Sequence, residues 1–286
     1  MRTTAIVPYL LAPLFLALAA GTLPVRAEVN LVFGVYVSDK PTEMVRKFRP
    51  VLDALEASMS GELGEPVHIR MRVSGDYETG IADLVTGAVD FARFGPASYV
   101  LAKERNPELR ILAVESESGT KVFYGIICVA EESAIRTLED LRGRSFAFGS
   151  RRSTIGRYLS QNLLIRHGIT AKDLGAYDYL GRHDKVGTAV ARGRFDAGAL
   201  KEGTFKKLVA KGVPIRAIAS FPNVTKPWIA RGGLAPKVFA ALRAALLRMR
   251  DPTALKALKK DGFLEGGDDD YAVIRRAMAS SVRFFE

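Results

Sequence analysis

Residues 146–158 read Phe-Ala-Phe-Gly-Ser-Arg-Arg-Ser-Thr-Ile-Gly-Arg-Tyr, which is a short apolar strand followed by the start of a helix. The N–H groups in the first turn of a helix have no acceptor within the helix, and the helix dipole is positive at that end. Ser153, Thr154, Arg151 and Arg152 add further donors there. Two interpretations follow from these residues alone: Ser153 is an N-cap beside solvated arginines, or the junction binds an oxyanion.

On both sides of this junction, strand-like apolar segments alternate with helical patterns. Such alternation predicts α/β units around mostly parallel sheets with flanking helices. Apolar residues at helical spacing follow the first strand, although Pro50 predicts a bent or late-starting helix there. The predicted strands are 29–37, 67–73, 89–92, 111–114, 122–129, 146–148, 176–180, 196–200 and 215–220, and the tail is predicted to form helices at 238–249, 252–260 and 268–284.

The N-terminal residues 1–27 have the pattern of a secretory signal peptide. Arg2 precedes an apolar run from Tyr9 to Ala20, and small residues follow up to Ala27. This arrangement predicts cleavage before Glu28. A retained membrane anchor is the alternative, but the run is shorter than a span of about 20 residues and Pro13 interrupts it. We therefore expect an exported, periplasmic protein.

Composition restricts the partners further. The formal net charge is +11, which favours anionic ligands. Nucleic acid is not expected, because the chain is predicted to be exported and its basic residues are dispersed among acids. The single cysteine, Cys128, lies in an apolar strand, so no internal disulfide can form.

Motifs that would carry catalysis or hold a metal are missing from the sequence. His68, His167 and His183 are isolated, and there is no zinc-binding pair, nucleophile elbow, P-loop or dinucleotide fingerprint. The acidic run 267–270 fits the first turn of a helix, where carboxylates complement the dipole. The sequence therefore predicts no cofactor, no metal and no enzymatic activity.

Other predicted strand ends also carry polar side chains. Gly95-Pro-Ala-Ser-Tyr99 places hydroxyls at a second helix start, and His183 begins a helix after another strand. Strand ends that converge in a crevice are where α/β proteins bind ligands. Each residue also has a structural interpretation, namely core packing for Tyr99 and a helix-start position for His183.

From Val29 to about Arg250 the chain resembles the phosphate, phosphite and phosphonate-binding proteins of ABC importers, a family of type II periplasmic binding proteins. The resemblance depends on an ordered set of short matches spread over most of the chain. They are Phe33-Gly-Val-Tyr36 with Pro41, Phe48-Arg-Pro50 with Leu55, Asp76-Tyr77, Gly87-x-Val-Asp90-Phe-Ala, Gly95-Pro-Ala-Ser-Tyr99, Leu138-Glu-Asp-Leu-Arg-Gly143, Phe148 with Ser153-Thr154 and Gly156, His183-Asp184, and Asp196-Ala-Gly198.

The resemblance implies two α/β lobes joined by a two-crossing hinge that close over a small tetrahedral oxyanion. Lobe one would comprise 28–117 and 221–286, and lobe two 118–220, with the crossings at the polar or proline-marked stretches 115–120 and 220–224. The site residues implied by the pattern, with Arg152 added from its position in the opening stretch, are Tyr36, Tyr99, Tyr124, Arg152, Ser153, Thr154, His183 and Glu202. Arg152 would pair with a more highly charged anion or point to solvent, and Glu202 would accept a ligand proton or meet a ligand amine.

The function implied by the resemblance is that of a periplasmic solute-binding protein. It would capture phosphate, phosphite or a phosphonate as a monomer and deliver it to an ABC permease in the inner membrane. Two alternatives stay open at this point. One is a periplasmic ligand-sensing module for a membrane kinase, and the other is an enzyme on the same fold.

Overall fold

The computed structural model describes residues 28–286, so the predicted signal peptide lies outside the described residues. The strands are β1 (Val29–Tyr36), β2 (Val67–Ser74), β3 (Phe91–Arg93), β4 (Arg110–Ser116), β5 (Val122–Ala130), β6 (Ser145–Phe148), β7 (Ala176–Tyr179), β8 (Ala197–Lys201), β9 (Ile215–Val224), β10 (Pro227–Ala230) and β11 (Gly262–Leu264). The α-helices are α1 (Pro41–Leu63), α2 (Tyr77–Val85), α3 (Pro96–Arg105), α4 (Ser160–Arg166), α5 (His183–Ala191), α6 (Glu202–Val209), α7 (Pro236–Leu247), α8 (Pro252–Leu258) and α9 (Ala272–Ser280).

The strands form two mixed sheets, and the fold class predicted from the sequence is confirmed. The first sheet has the order β11-β4-β10-β3-β1-β2, and the second has the order β7-β6-β8-β5-β9. Parallel pairs come from β-α-β units such as β1-α1-β2. Antiparallel pairs are slightly more numerous in the described residues, because β5, β9, β10 and β11 all pair in that sense, so the prediction of mostly parallel sheets was wrong in this respect.

Each sheet is covered by helices on both faces, and each face has its own apolar cluster. In the first sheet, α1, α7 and α8 cover one face and α2, α3 and α9 the other. In the second sheet, α5 and α6 cover one face, and the segment around α4 covers the other. Helices that cover both faces of a sheet bury its apolar side chains in two separate cores. We call the first sheet with its helices lobe one and the second lobe two.

Two short crossings join the sheets. Residues 117–121 connect β4 to β5, and residues 225–226 connect β9 to β10. Residues 221–224 belong to β9 of lobe two, whereas the sequence suggested that they form the crossing. The C-terminal end also departs from the predicted lobe bounds, because the side chain of Phe284 is fully buried in the apolar cluster of lobe two.

Several elements differ from the predicted ones. Strands β10 and β11, of four and three residues, were not predicted from the sequence. Helix α1 starts at Pro41 and continues through Pro50, so the late start was wrong. The last predicted helix is divided into α9 and two short 3₁₀ helices, Asp268–Tyr271 and Ser281–Phe285. Within residues 28–286 no helix is both long enough and apolar enough to cross a membrane.

Candidate functional site

A cavity lies between the lobes, close to the two crossings. The space between the lobes is about 440 Å³ when its opening to solvent is included. Residues of both sheets and of the second crossing line it. They are Val35, Tyr36, Ser38, Met44, Tyr77, Arg93, Gly95, Pro96, Phe123, Ser153, Thr154, Ile155, His183, Lys201, Asn223 and Lys226.

The turn that begins the first helix of lobe two brings two hydroxyls to this cavity. Residues 154–159 form a wide π-helical turn, and the Ser153 Oγ accepts a hydrogen bond from the Gly156 N–H at 2.9 Å. A Cβ on Gly156 would lie 2.8 Å from the Gly149 Cα, so the close approach of the two segments requires glycine. Ser153 is therefore a helix cap and a cavity residue at once.

Thr154 makes the most direct contact between the lobes. Its Oγ1 accepts a hydrogen bond of 2.8 Å from the N–H of Ala97, in the first turn of α3. Thr154 is 5% exposed and Ala97 is fully buried. The hydroxyl of lobe two thus satisfies an N–H at a helix start of lobe one that has no acceptor within its own helix. The contact can form only while the lobes are closed.

Tyr36 lies at the end of β1, where its phenol is held within lobe one. The phenol donates to the Ser98 Oγ at 2.9 Å and accepts from the Gly95 N–H at 2.7 Å. The ring stacks on Tyr77 with the centroids 4.0 Å apart. Burial raises the pKa of Tyr36 and outweighs these hydrogen bonds, so the phenol is neutral near pH 7.

His183 begins α5 and lines the cavity from lobe two. Burial, together with the nearby Lys201 charge, lowers the pKa of His183 to about 3, so the imidazole is neutral near pH 7. Its Nδ1 is buried and has no hydrogen-bond partner among residues 28–286. The ring packs against the backbone of Gly149, in the turn before Ser153. A neutral imidazole here can exchange hydrogen bonds with a ligand but adds no charge.

Four residues predicted for the site do not line the cavity. Tyr99 follows Ser98 in α3, and neighbouring residues of a helix point in different directions, so the Tyr99 side chain packs into the core of lobe one. Its hydroxyl donates a hydrogen bond of 2.6 Å to the Asp268 Oδ1. Tyr124 is 44% exposed, because neighbouring side chains of a strand point to opposite faces, and Phe123 lines the cavity in its place.

The other two make ion pairs on the protein surface. Arg152 pairs with Glu78 of lobe one at 2.9 Å, and its side chain is 38% exposed. Arg151 lies over the Tyr179 ring, with its guanidinium 4.2 Å from the ring centroid. Glu202 pairs with Lys206 one turn later in α6 at 2.8 Å. Arg152 therefore links the lobes at the rim, and Glu202 adds no carboxylate to the cavity lining.

Three cationic residues of the lining were not predicted from the sequence. Arg93 is buried beside Glu115 and donates two hydrogen bonds to it, of 2.7 and 2.8 Å. Burial opposes ionisation of Glu115, but Arg93 holds the pKa of this carboxyl well below its ordinary value. Lys201 pairs with Asp39 across the lobes, and this lowers the pKa of Asp39 despite its burial.

Lys226 is the third cation and lies in the second crossing. Its Nζ is 5.1 Å from the centroid of the Phe123 ring, and no carboxylate of residues 28–286 forms an ion pair with it. Burial, with Arg93 and Lys201 nearby, lowers the pKa of Lys226 well below its ordinary value. The sequence did offer a signal that these three cations lie near the cleft, because Arg93 and Lys201 each end a strand and Lys226 follows the predicted crossing 220–224.

The lining therefore contains three cationic side chains and no aspartate or glutamate. No cluster of potential metal ligands occurs in the described part of the chain. A family model for the periplasmic substrate-binding proteins of phosphonate ABC transporters matches residues 33–271. The chain belongs to this family.

Individual relatives match in sequence, and solved structures match in fold. The phosphate-import protein PhnD of Mycolicibacterium smegmatis is 25% identical, over 79% of this chain and 74% of the relative. The structure of PhnD1 from Prochlorococcus marinus in complex with methylphosphonate has a TM-score of 0.75 at 20% identity, covering 88% of this chain and 97% of the other. A binding-protein component of an ABC phosphonate transporter from Pseudomonas aeruginosa has a TM-score of 0.78 at 17% identity, covering 91% and 88%.

Proposed function

We propose that this member of the family captures a small phosphorus-type oxyanion, namely phosphate, phosphite or a phosphonate, when its two lobes close. The observation that carries the proposal is the cavity between the lobes, whose lining includes Arg93, Lys201 and Lys226 but no carboxylate. An anion placed there would neutralise excess positive charge in a site with little water, where electrostatic attraction is stronger than in bulk solvent.

Geometry supplies the donors that a tetrahedral anion needs. Ser153 and Thr154 bring hydroxyls, and the turns at Gly95 and Ser153 bring two helix starts towards each other. The start of a helix favours negative charge, and hydroxyls add directional hydrogen bonds. Selectivity would arise because donors left unpaired by a wrong ligand cost about 1–3 kcal/mol each.

Contacts across the cleft support closure as the means of capture. Asp39 of lobe one forms an ion pair with Lys201 of lobe two and accepts a hydrogen bond of 3.1 Å from the Thr204 hydroxyl. Glu43 forms a second ion pair across the cleft, with Lys207, and again the carboxylate belongs to lobe one and the ammonium to lobe two. These pairs lie around the cavity, so closing the cleft brings opposite charges together and withdraws the ligand from water.

The proposal extends to location and partners. The chain would be exported by cleavage before Glu28, would act in the periplasm as a monomer, and would deliver its ligand to an ABC permease of the inner membrane. Binding and release need no covalent step. Cys128 is fully buried in β5, and burial raises the pKa of its thiol to about 12, which makes it a poor nucleophile.

A thermal-shift screen of the purified protein tests the proposal. Phosphate, phosphite and methylphosphonate are compared with sulfate and chloride at matched ionic strength. A ligand present at 100 times its dissociation constant stabilises the folded state by about 2.7 kcal/mol, which corresponds to a rise in Tm of about 5–11 °C for a chain of this size. Unchanged melting with all three phosphorus anions would refute the proposal.

A further inference from the structure

One part of the cavity lining lies on the second crossing and holds an unpaired amide. Asn223 is 4% exposed, and neither its Nδ2 nor its Oδ1 has a hydrogen-bond partner among residues 28–286. Buried polar atoms in folded proteins are nearly always paired. Since Asn223 also lines the cavity, its donor and its acceptor are both available to a ligand.

Lys226 lies three residues further along, beside Phe123, which pairs directly with Asn223 in the sheet. The other two cations of the lining already have carboxylate partners, because Arg93 is paired with Glu115 and Lys201 with Asp39. Lys226 has no such partner in the described part of the chain. Its amine is therefore the one cationic group of the lining left for a ligand to pair with, and an anionic ligand would favour its protonated form.

These two side chains are held by different elements from the hydroxyls at the helix start. Thr154 lies in the turn that faces α3, whereas Asn223 and Lys226 lie on the connection from β9 to β10. A ligand whose phosphoryl group meets the helix start can carry a second group that meets this connection. A pair of donors with one free positive charge suits an anionic second group.

We propose that Asn223 and Lys226 form a second subsite, which takes a carboxylate attached to the phosphonate. The preferred ligand is then a carboxylate-bearing phosphonate, and phosphonates that bear an ammonium group are rejected. This inference rests on the proposed function, since it assumes that the phosphoryl group occupies the same cavity.

The absence of acids from the cavity lining supports the rejection of ammonium groups. Glu202, which the sequence suggested as a partner for a ligand amine, is paired with Lys206. An ammonium group in the cavity would lie near Lys226 without a carboxylate to balance it. Placing like charges together and away from water is unfavourable.

Isothermal titration calorimetry with three phosphonates that differ in their second group tests the subsite. The probes are methylphosphonate, phosphonoacetate and 2-aminoethylphosphonate. We expect phosphonoacetate to bind at least about tenfold more tightly than methylphosphonate, which is the effect of one charge-assisted hydrogen bond. We expect 2-aminoethylphosphonate to bind more weakly than methylphosphonate.

Two substitutions separate the subsite from the rest of the site. Lys226→Gln should weaken the binding of phosphonoacetate more than that of methylphosphonate, and so abolish the preference for phosphonoacetate. Asn223→Asp, which keeps the shape of the side chain, should shift the preference towards 2-aminoethylphosphonate. Lys206→Gln removes the same charge from a lysine whose side chain is 69% exposed, and it should leave all three affinities unchanged. Thermal melts of each variant verify that it is folded.

The outcomes distinguish the subsite from the proposed function. If methylphosphonate binds but phosphonoacetate binds no more tightly, the subsite is refuted and the proposed function stands. If Lys226→Gln weakens all three ligands equally, Lys226 holds the phosphoryl group itself, and the subsite is again refuted. If none of the three binds and phosphate and phosphite also fail, the proposed function is wrong and the subsite with it.

Discussion

Replacing Glu115 by glutamine should destabilise the free protein and at the same time make it respond more strongly to an anion. The Arg93 and Glu115 side chains are 5% and 1% exposed and share two hydrogen bonds. Glutamine keeps the size of the side chain but removes its charge. The guanidinium is then left in a buried site without a counter-charge, beside the cavity where the ligand is proposed to bind.

Removing one partner of a buried ion pair costs about 3–5 kcal/mol. For a domain of this size that corresponds to a fall in Tm of about 6–20 °C. Calorimetric and urea melts at pH 7 measure the loss, and Glu265→Gln is the matched control. Glu265 also pairs with an arginine, Arg243, but its side chain is 80% exposed, so its replacement should change stability by less than about 0.5 kcal/mol.

The sign of the pH dependence follows from the lowered pKa of Glu115. A carboxyl whose folded pKa lies below its unfolded value of about 4.3 contributes its full stability above that value. The contribution disappears as the pH falls through the folded pKa. The difference in stability between the wild type and Glu115→Gln should therefore be largest near neutral pH and should shrink in acid.

A saturating phosphorus anion should raise the Tm of Glu115→Gln by more than it raises that of the wild type, because the anion can replace the missing negative charge beside Arg93. Equal ligand-induced shifts in the two proteins would show that Arg93 does not face the bound anion. A loss of stability no larger than that of Glu265→Gln would refute the claim that the pair is buried and energetically coupled.

Three further predictions follow from the contacts between the lobes and from the charge of the cavity. Thr154→Val leaves the buried Ala97 N–H without its acceptor in the closed state, which costs about 1–3 kcal/mol, so calorimetry should show affinity weakened by about fivefold or more. Arg152→Gln removes only an exposed pair to Glu78, worth about 0–1 kcal/mol, so affinity should fall by less than about fivefold, and less still at high salt. Anion binding should raise the lowered pKa of Lys226, so the protein should take up protons when it binds the anion, and its affinity should fall as the pH rises. Calorimetric titrations in buffers of different ionisation enthalpy measure this proton uptake.

Controls for these three predictions come from the same chain. Thr253→Val alters an exposed threonine and should leave affinity unchanged. A larger loss from Arg152→Gln than from Thr154→Val would mean that the arginine contacts the anion directly. Any proton that the ligand itself takes up is the same for the wild type and for Lys226→Met. If the two proteins take up equal numbers of protons on binding, the titrating group is therefore not Lys226.

Local patterns in the sequence were enough to predict the family, the two mixed sheets and part of the cavity lining. Apolar segments marked nine of the eleven strands found in residues 28–286, and the motifs around Tyr36, Ser153, Thr154 and His183 marked side chains that the structure places at the cavity. Whether these four residues bind a ligand remains a prediction.

Periodicity could not show which of two neighbouring side chains faces the cleft. Tyr99 has a partner, Asp268, that lies 169 positions away in the sequence. Tyr124 and Phe123 differ by one residue in one strand, and only the pairing of that strand decides which of them lines the cavity. No local signal distinguishes such pairs, because the choice depends on segments that are distant in the sequence.

The sequence alone thus determined the kind of chain, namely an α/β protein of the phosphonate-binding family with a helix start suited to an oxyanion. Only the tertiary structure decided the charge of the cavity. Arg93, Lys201 and Lys226 come from three separate segments, and Glu115 and Asp39 balance two of these charges through contacts across lobe one and across the cleft. Such a balance exists only once distant strands and both lobes have been brought together.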